Sequence, residues 1–233
     1  MEFTDLILHE DNHLLLVNKP PGILTQGDAT GDAPLGELAQ AYIRAKYDKP
    51  GNVFIGVVHR LDRPVSGVVA LAKTSKALER LTTAFRTRAV EKVYWALVAR
   101  RPVPENGTLI HWLTKDERRN VVSAHSHEVP GSQRAELAYE VLRAAGPYWL
   151  VEVRPLTGRP HQIRVQFAAG LRAPIAGDVK YGAAQPLPNP RQIGLHARRL
   201  TVPHPTKPGE TVTVEAPVPV GPPWALVKRL VAK

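Results

Sequence analysis

The chain has 233 residues, 43% of them hydrophobic, enough for one large core or two small ones and too varied for a low-complexity protein. It contains no cysteine, which excludes disulfides, thiolate nucleophiles, iron–sulfur clusters and zinc fingers, and it fits a reducing compartment. The formal net charge of +10 is uneven, −4 over residues 1–50 and +14 over residues 51–233, so the body of the chain would suit a polyanion, although charge alone also serves solubility.

Met1-Glu2-Phe3-Thr4-Asp5 lacks the basic and long apolar regions of a signal peptide, and no run reaches membrane-spanning length. The sequence therefore reads as cytoplasmic. Leu6 to Leu8 and Leu14 to Val17 predict a strand pair, which Pro20 and Pro21 must end because proline donates nothing to a ladder. Leu35, Leu38, Ala39, Tyr42 and Ile43 fall at helical spacing, giving a helix that ends near Lys49-Pro50. Two strand-like runs follow, Val53 to Val58 and Val68 to Ala72. Thr74 then caps a helix with Leu78, Leu81 and Phe85 on one stripe, and Val90 to Ala99 returns to strand.

From residue 107 to 156 the pattern predicts a meander: Thr108 to Leu113, Val121-Val122, Ala135 to Leu142 and Tyr148 to Val153. Asn106-Gly107 reads as a turn. A helix is expected to open at Thr157-Gly158-Arg159-Pro160 and run through Ala169, stopped by Gly170. Leu195 to Val202 and Thr211 to Glu215 close the sheet, and Trp224 to Val231 forms a terminal helix. The expected class is α+β, a largely antiparallel mixed central sheet with flanking helices. His125-Ser126-His127-Glu128 reads as a solvated loop sooner than a metal site, since no second pair stands at ligand spacing. There is no phosphate-binding glycine loop and no Gly-x-Ser-x-Gly elbow.

Between the runs ending at Val58 and starting at Val68 lies His59-Arg60-Leu61-Asp62-Arg63-Pro64-Val65-Ser66-Gly67. A lone carboxylate between two guanidinium groups at a strand edge is a way to present a working acid, and it is equally the composition of a charged turn.

These residues resemble the active-site motif of the RluA branch of the pseudouridine synthases, with Val65 where that family has Thr. The resemblance continues in family order. It includes Asn18-Lys19-Pro20-Pro21-Gly22, Glu91-Lys92-Val93-Tyr94-Trp95-Ala96, and Thr157-Gly158-Arg159-Pro160-His161-Gln162-Ile163-Arg164-Val165. Pro160 replaces a Thr of the family pattern and Gln166 a His. Pro174-Ile175-Ala176-Gly177-Asp178 with Tyr181-Gly182, Leu195-His196-Ala197, His204-Pro205 and Glu215-Ala216-Pro217 complete the series, which covers about residues 10 to 217.

The resemblance implies an isomerase that detaches uracil from its ribose, turns the base and reattaches it through carbon 5, with no cofactor and no metal. It implies one catalytic domain over residues 1–233 with a central cleft, and no separate N-terminal RNA-binding domain. The partner expected is a ribosomal or transfer RNA stem-loop, bound by a monomer with no obligatory protein partner and no membrane. Asp62 is the expected catalytic carboxylate, as nucleophile at the sugar or as the base that takes a sugar proton. Arg164 holds the family position that pairs with it, Tyr94 the position that stacks on uracil, and Arg60 the position that fills the vacated stack. Arg63, Lys19, Lys73, Lys92, Arg159, His161 and Ile163 are expected at the substrate, as phosphate contacts or supports. The rival expectations are a non-catalytic RNA-binding or ribosome-assembly protein on the same fold, and a hydrolase that would release free uracil.

Overall fold

Apolar runs become strands and amphipathic runs become helices throughout the computed structural model, which describes residues 2–28, 30–48 and 50–231. In chain order the elements are β1 (Ile7–Glu10), β2 (Leu14–Lys19), α1 (Leu35–Lys46), β3 (Gly56–Val57), β4 (Ser66–Ala72), α2 (Ser75–Arg86) and β5 (Glu91–Val98). Then follow β6 (Asn106–Asp116), β7 (Val121–His125), β8 (Gln133–Ala145), β9 (Tyr148–Pro155), α3 (Gln162–Leu171), β10 (Leu195–Pro203), β11 (Thr211–Glu215) and α4 (Trp224–Val231). The class is α+β with mostly antiparallel pairing, as the alternation of patterns predicts. The chain divides into two compact units, Met1–Lys92 with Ala197–Pro217 and Val93–His196 with Val218–Lys233.

In the first unit the strand order is β1-β2-β4-β10-β11, with β3 also on β4. β2 and β4 pair antiparallel from Leu14↔Ala72 to Lys19↔Gly67 and are buried almost throughout, hence their continuous apolar sequences. The expected strand over Val53 to Val58 shrinks to Gly56–Val57. Thr74 Oγ1 accepts from the Ala77 N–H at 3.2 Å and so starts α2. Ala77 and Leu81, with Leu78 and Phe85 beside them, then cover Leu14, Leu16, Val68, Ala70, Leu200 and Val202. Each buried leucine there contributes about 1.5–3 kcal/mol, which outweighs any intrinsic helix preference. α1 stops at Lys46; Lys49, near which its end is expected, lies outside the described residues.

Glu10 locks α1 to the sheet. Its carboxylate accepts from Lys73 Nζ, Lys46 Nζ, Tyr42 Oη and Tyr47 Oη, each at 2.8 Å. Burial favours the neutral acid, but the four donors outweigh it and hold the carboxyl at about 2. The folded value lies below the unfolded one, so this contribution is complete above about pH 4.5 and is lost as pH falls through about 2. Glu10→Gln is expected to destabilise the protein at pH 7 by about 1–3 kcal/mol, the cost of weakening charge-assisted bonds at a carboxylate whose side chain is 8% exposed. Denaturant melts at pH 7 and pH 3 test this: the gap between variant and wild type should narrow at the lower pH.

In the second unit the order is β5-β9-β8-β6-β7. This corrects the expected meander: β7 forms a hairpin with β6, and β8 pairs with the other edge of β6 instead of with β7. Asn106 and Gly107 are strand residues opposite Glu140 and Tyr139, not a turn. A Cβ on Gly107 would meet the Tyr139 ring at 3.5 Å, an ordinary contact, so the strand position itself does not require glycine. Leu113, Val122, Ala135 and Val165 pack α3 on the sheet, and Trp224 and Val227 of α4 pack on Leu97, Ala145 and Leu150.

α3 also departs from expectation at both ends. Thr157 to Pro160 stays a loop because its side chains make better bonds there than in a helix. Thr157 Oγ1 accepts from the Glu136 N–H at 2.8 Å and donates to Gln162 Oε1 at 2.8 Å, and the Arg159 N–H donates to the same Gln162 oxygen at 3.0 Å. Gly170 lies inside the helix: a Cβ there would stand 2.8 Å from His111 Cε1, so the glycine serves a close approach and not a stop. The helix ends at Arg172, in the left-handed conformation with φ 50°. No helix among the described residues is long and apolar enough to cross a membrane.

Candidate active site

Asp62 sits half-buried in the loop that leads into β4, and both its neighbours are fastened to the segment after β2. Leu61 exchanges two hydrogen bonds with Thr25 Oγ1, at 2.9 and 3.2 Å. The Arg63 carbonyl accepts from the Gly22 N–H at 2.8 Å, and Arg63 Nε donates to the Gly22 carbonyl at 3.0 Å. Val65, buried in place of the family's Thr, donates its N–H to the Asp62 carbonyl at 3.0 Å. Beyond it Gly67 adopts φ 116° directly against the backbone of Ala197, where any Cβ would fall 2.2 Å from a carbonyl oxygen. Only glycine fits, and the loop enters the strand at one angle.

The charges of this loop are arranged differently from the simplest expectation. Arg63 spends its guanidinium on Gly22 and Asp32, and Arg60 is exposed. His59 is not part of the charged group. Its Nε2 accepts from the Ala70 N–H at 3.0 Å, its ring stacks on Phe85 at 4.5 Å, and burial, with Lys92 nearby, holds it neutral with a value lowered to about 3. Lys73 lies at the opposite end of β4, roughly 20 Å along the strand from the loop. It is committed to Glu10 and to the Asp11 carbonyl. That distance keeps it from joining Asp62.

Lys19 takes the place beside Asp62 instead. It is completely buried, and its ammonium donates to the carbonyls of Pro20, Ile23 and Arg63 at 3.1, 2.8 and 3.3 Å. Burial pulls its pKa down to about 7 from an ordinary 10.5, the carboxylate of Asp62 pulls upward and Arg63 downward. Above pH 7 the unfolded lysine still binds a proton that the native one has released, so stability rises between about pH 7 and 10.5. Relative to Lys19→Met, wild type should therefore gain stability across that window, with a slope of up to about 1.4 kcal/mol per pH unit. Parallel denaturation midpoints at pH 7, 8 and 9 provide the measurement, and two parallel curves would contradict it.

The second unit carries another cluster. Tyr94 is half-buried on β5 opposite Val153, the residue that also faces Tyr139, so Tyr94 shares the face on which α3 packs through Phe167. Trp95 and Leu97 point the other way, against Trp224. Arg164, in the first turn of α3, is buried and makes a bidentate pair with Asp178, Nε to Oδ2 at 2.7 Å and Nη2 to Oδ1 at 2.8 Å. Its Cζ lies 5.0 Å from the centre of the Tyr181 ring. His161 Nδ1 is 2.6 Å from Tyr181 Oη, and Ile163 is buried behind it. Arg159 Nε donates to the Arg134 carbonyl at 3.2 Å. Lys92, which belongs to the first unit, is half-buried, and burial with Arg88 nearby lowers it to about 8. Gln166, where the family has His, ties α3 to β6 through the Leu109 carbonyl at 3.1 Å.

Asp178 and Tyr181 were given no role by sequence reasoning, although both stand in the motif series. A buried aspartate must have a cation beside it, and a search among the arginines would have been the available signal. Chemically, the chain thus offers a fixed, half-buried carboxylate and, in the other unit, a guanidinium and a phenol on rigid elements, the groups that acid–base and covalent chemistry at a sugar require.

Comparison with known proteins agrees over most of the chain. A family model described as RNA pseudouridylate synthase matches residues 13–169. The mitochondrial pseudouridylate synthase RPUSD4 of Xenopus tropicalis is 32% identical, over 94% of this chain and 78% of its own. The ribosomal large subunit pseudouridine synthase C of Rickettsia prowazekii (strain Madrid E) is 32% identical, over 93% of this chain and 69% of its own. Among solved structures, that of human RNA pseudouridylate synthase domain containing 4 matches with a TM-score of 0.77 and 27% identity, covering 94% of this chain and 90% of that one.

Proposed function

The chain belongs to the RNA pseudouridylate synthase family, in its RluA-type branch, and on that footing we propose that this isomerase acts on uridine in ribosomal RNA with Asp62 as its working carboxylate. In the reaction the bond from ribose C1′ to uracil N1 breaks, a bond from C1′ to C5 forms, the C5 proton leaves, and N1 takes up a proton, so that product and substrate are isomers. Asp62 attacks the sugar or takes a sugar proton, Arg164 keeps negative charge in place, and Tyr94 stacks on the base and carries proton traffic at C5. Arg60, exposed beside Asp62, fills the gap left by the flipped nucleotide and offsets part of the few kcal/mol that flipping costs. Arg159, His161 and Lys92 serve phosphates or support these groups. The protein acts as a monomer without a cofactor.

The observation that carries this reading is the fastening of the Asp62 loop. Hydrogen bonds to both neighbours fix where the carboxylate stands before any substrate arrives, as catalysis by a single acid group demands. Ribosomal RNA is preferred to transfer RNA because the Rickettsia relative is named for the large ribosomal subunit. Incubating the protein with unmodified ribosomal and transfer RNA and mapping pseudouridine by mass spectrometry tests both statements. Modified ribosomal uridines are expected; modification of transfer RNA alone would remove the substrate assignment, and release of free uracil would make the protein a hydrolase.

A further inference from the structure

The geometry around Arg164 points to a task for a side chain that has none in the reaction as described: we propose that Tyr181 is a positioning residue that fixes the plane of the Arg164 guanidinium and ties it to the β6–β7 hairpin. Asp178 and Tyr181 belong to one short turn, closed by the Tyr181 N–H donating to the Asp178 carbonyl at 3.0 Å. Glycines at φ 79° and 95°, Gly177 and Gly182, bracket it. From this turn Asp178 grips the edge of the guanidinium at 2.7 and 2.8 Å, while the Tyr181 ring lies 5.0 Å from its centre. The carboxylate holds the edge of the guanidinium, and hydrogen bonds along one edge leave rotation about that edge comparatively soft. The ring adds a restraint on its face.

The ring is itself held from two sides. Its hydroxyl accepts from the Val122 N–H at the start of β7, at 2.9 Å, and meets His161 Nδ1 at 2.6 Å. Lys180, one residue earlier, donates to the Asn120 carbonyl in the hairpin turn at 3.1 Å. A tyrosine that served packing alone would not have its hydroxyl bound to the backbone of one element and to the residue that opens another. This arrangement makes any displacement of the hairpin a displacement of the ring beneath Arg164.

The proposal rests on the assignment of Arg164 to the reaction, so the experiment separates the two. Single-turnover rate and RNA dissociation constant are measured for wild type, Tyr181→Phe, Tyr181→Leu, Arg164→Met and the double variant Tyr181→Leu with Arg164→Met. Misplacing a reacting group by a fraction of its size costs up to about 100-fold, so Tyr181→Leu should be slowed roughly 10- to 100-fold with affinity within about threefold of wild type. Tyr181→Phe keeps the ring and should lose less. In the Arg164→Met background, Tyr181→Leu should cause no further slowing, because the residue acts only through the arginine. A further loss of the same size there, or a wild-type rate for Tyr181→Leu beside a slow Arg164→Met, overturns the proposal alone. A wild-type rate for Arg164→Met removes the Arg164 assignment as well. Should Tyr181→Leu fail to fold, Tyr181→Phe tests the hydroxyl tether to Val122 and His161 in both backgrounds: a slowing that disappears with Arg164→Met supports the proposal, and a wild-type rate or an undiminished slowing there overturns it.

Discussion

Asp62→Asn is expected to slow pseudouridine formation by about 10³- to 10⁴-fold while leaving the protein folded and able to bind RNA. The size follows from removing the group that must bear negative charge or accept a proton, which an amide of the same shape cannot do. Folding should survive because the loop is held by bonds that the side chain does not make: Thr25 to Leu61, Gly22 to Arg63, and Val65 to the Asp62 carbonyl. Affinity should hold or rise slightly, since one negative charge is withdrawn from a surface that meets phosphates. Lys19 supplies an independent signature. Asp62 is what raises its pKa against burial, so the variant should shift the ammonium further down, visible as an earlier rise of stability with pH. Release of the C5 hydrogen from labelled RNA, followed in parallel with pseudouridine mapping, reads the rate. An Asp62→Asn protein that turns over within tenfold of wild type would falsify the role given to the carboxylate.

The sequence was most legible where one force decides the outcome. β2 and β4 announce themselves because strands buried on both faces must be apolar throughout, and α2 because a cap at Thr74 and a stripe through Leu81 coincide. It was least legible where two local tendencies compete. Thr157 and Gln162 use hydrogen bonds to Glu136 to hold a loop that composition reads as a helix opening, and Asn106-Gly107 joins a ladder because β8 is there to pair with it. Gly170 reads as a terminator but is fixed by His111 across the packing, a neighbour no local window contains. In the site, residue types placed Asp62 in a charged loop but did not give the partners of the charges around it: Arg63 turns to Asp32, His59 is locked neutral, and Lys73 serves Glu10. A side chain's charge is local information, while its partner is set by the fold.

The pairing of Arg164 with Asp178 yields the largest expected change in stability. Asp178→Ala withdraws the bidentate carboxylate from a guanidinium whose side chain is only 7% exposed. Removing one partner of a buried pair costs about 3–5 kcal/mol. In a chain of this size that should lower the melting temperature by roughly 6–20 °C. The reverse construction separates structure from chemistry. Arg164→Met combined with Asp178→Leu leaves no buried charge behind, and apolar residues of similar volume commonly restore such sites to within about 1 kcal/mol of wild type or better. The double variant should therefore melt close to wild type and still form no pseudouridine, because the cation proposed for the reaction has gone with its partner. Melting curves and single-turnover rates on the two proteins decide the matter. A double variant that recovered both stability and activity would show that the pair serves the fold alone, and an Asp178→Ala protein as stable as wild type would mean that the carboxylate holds nothing in place.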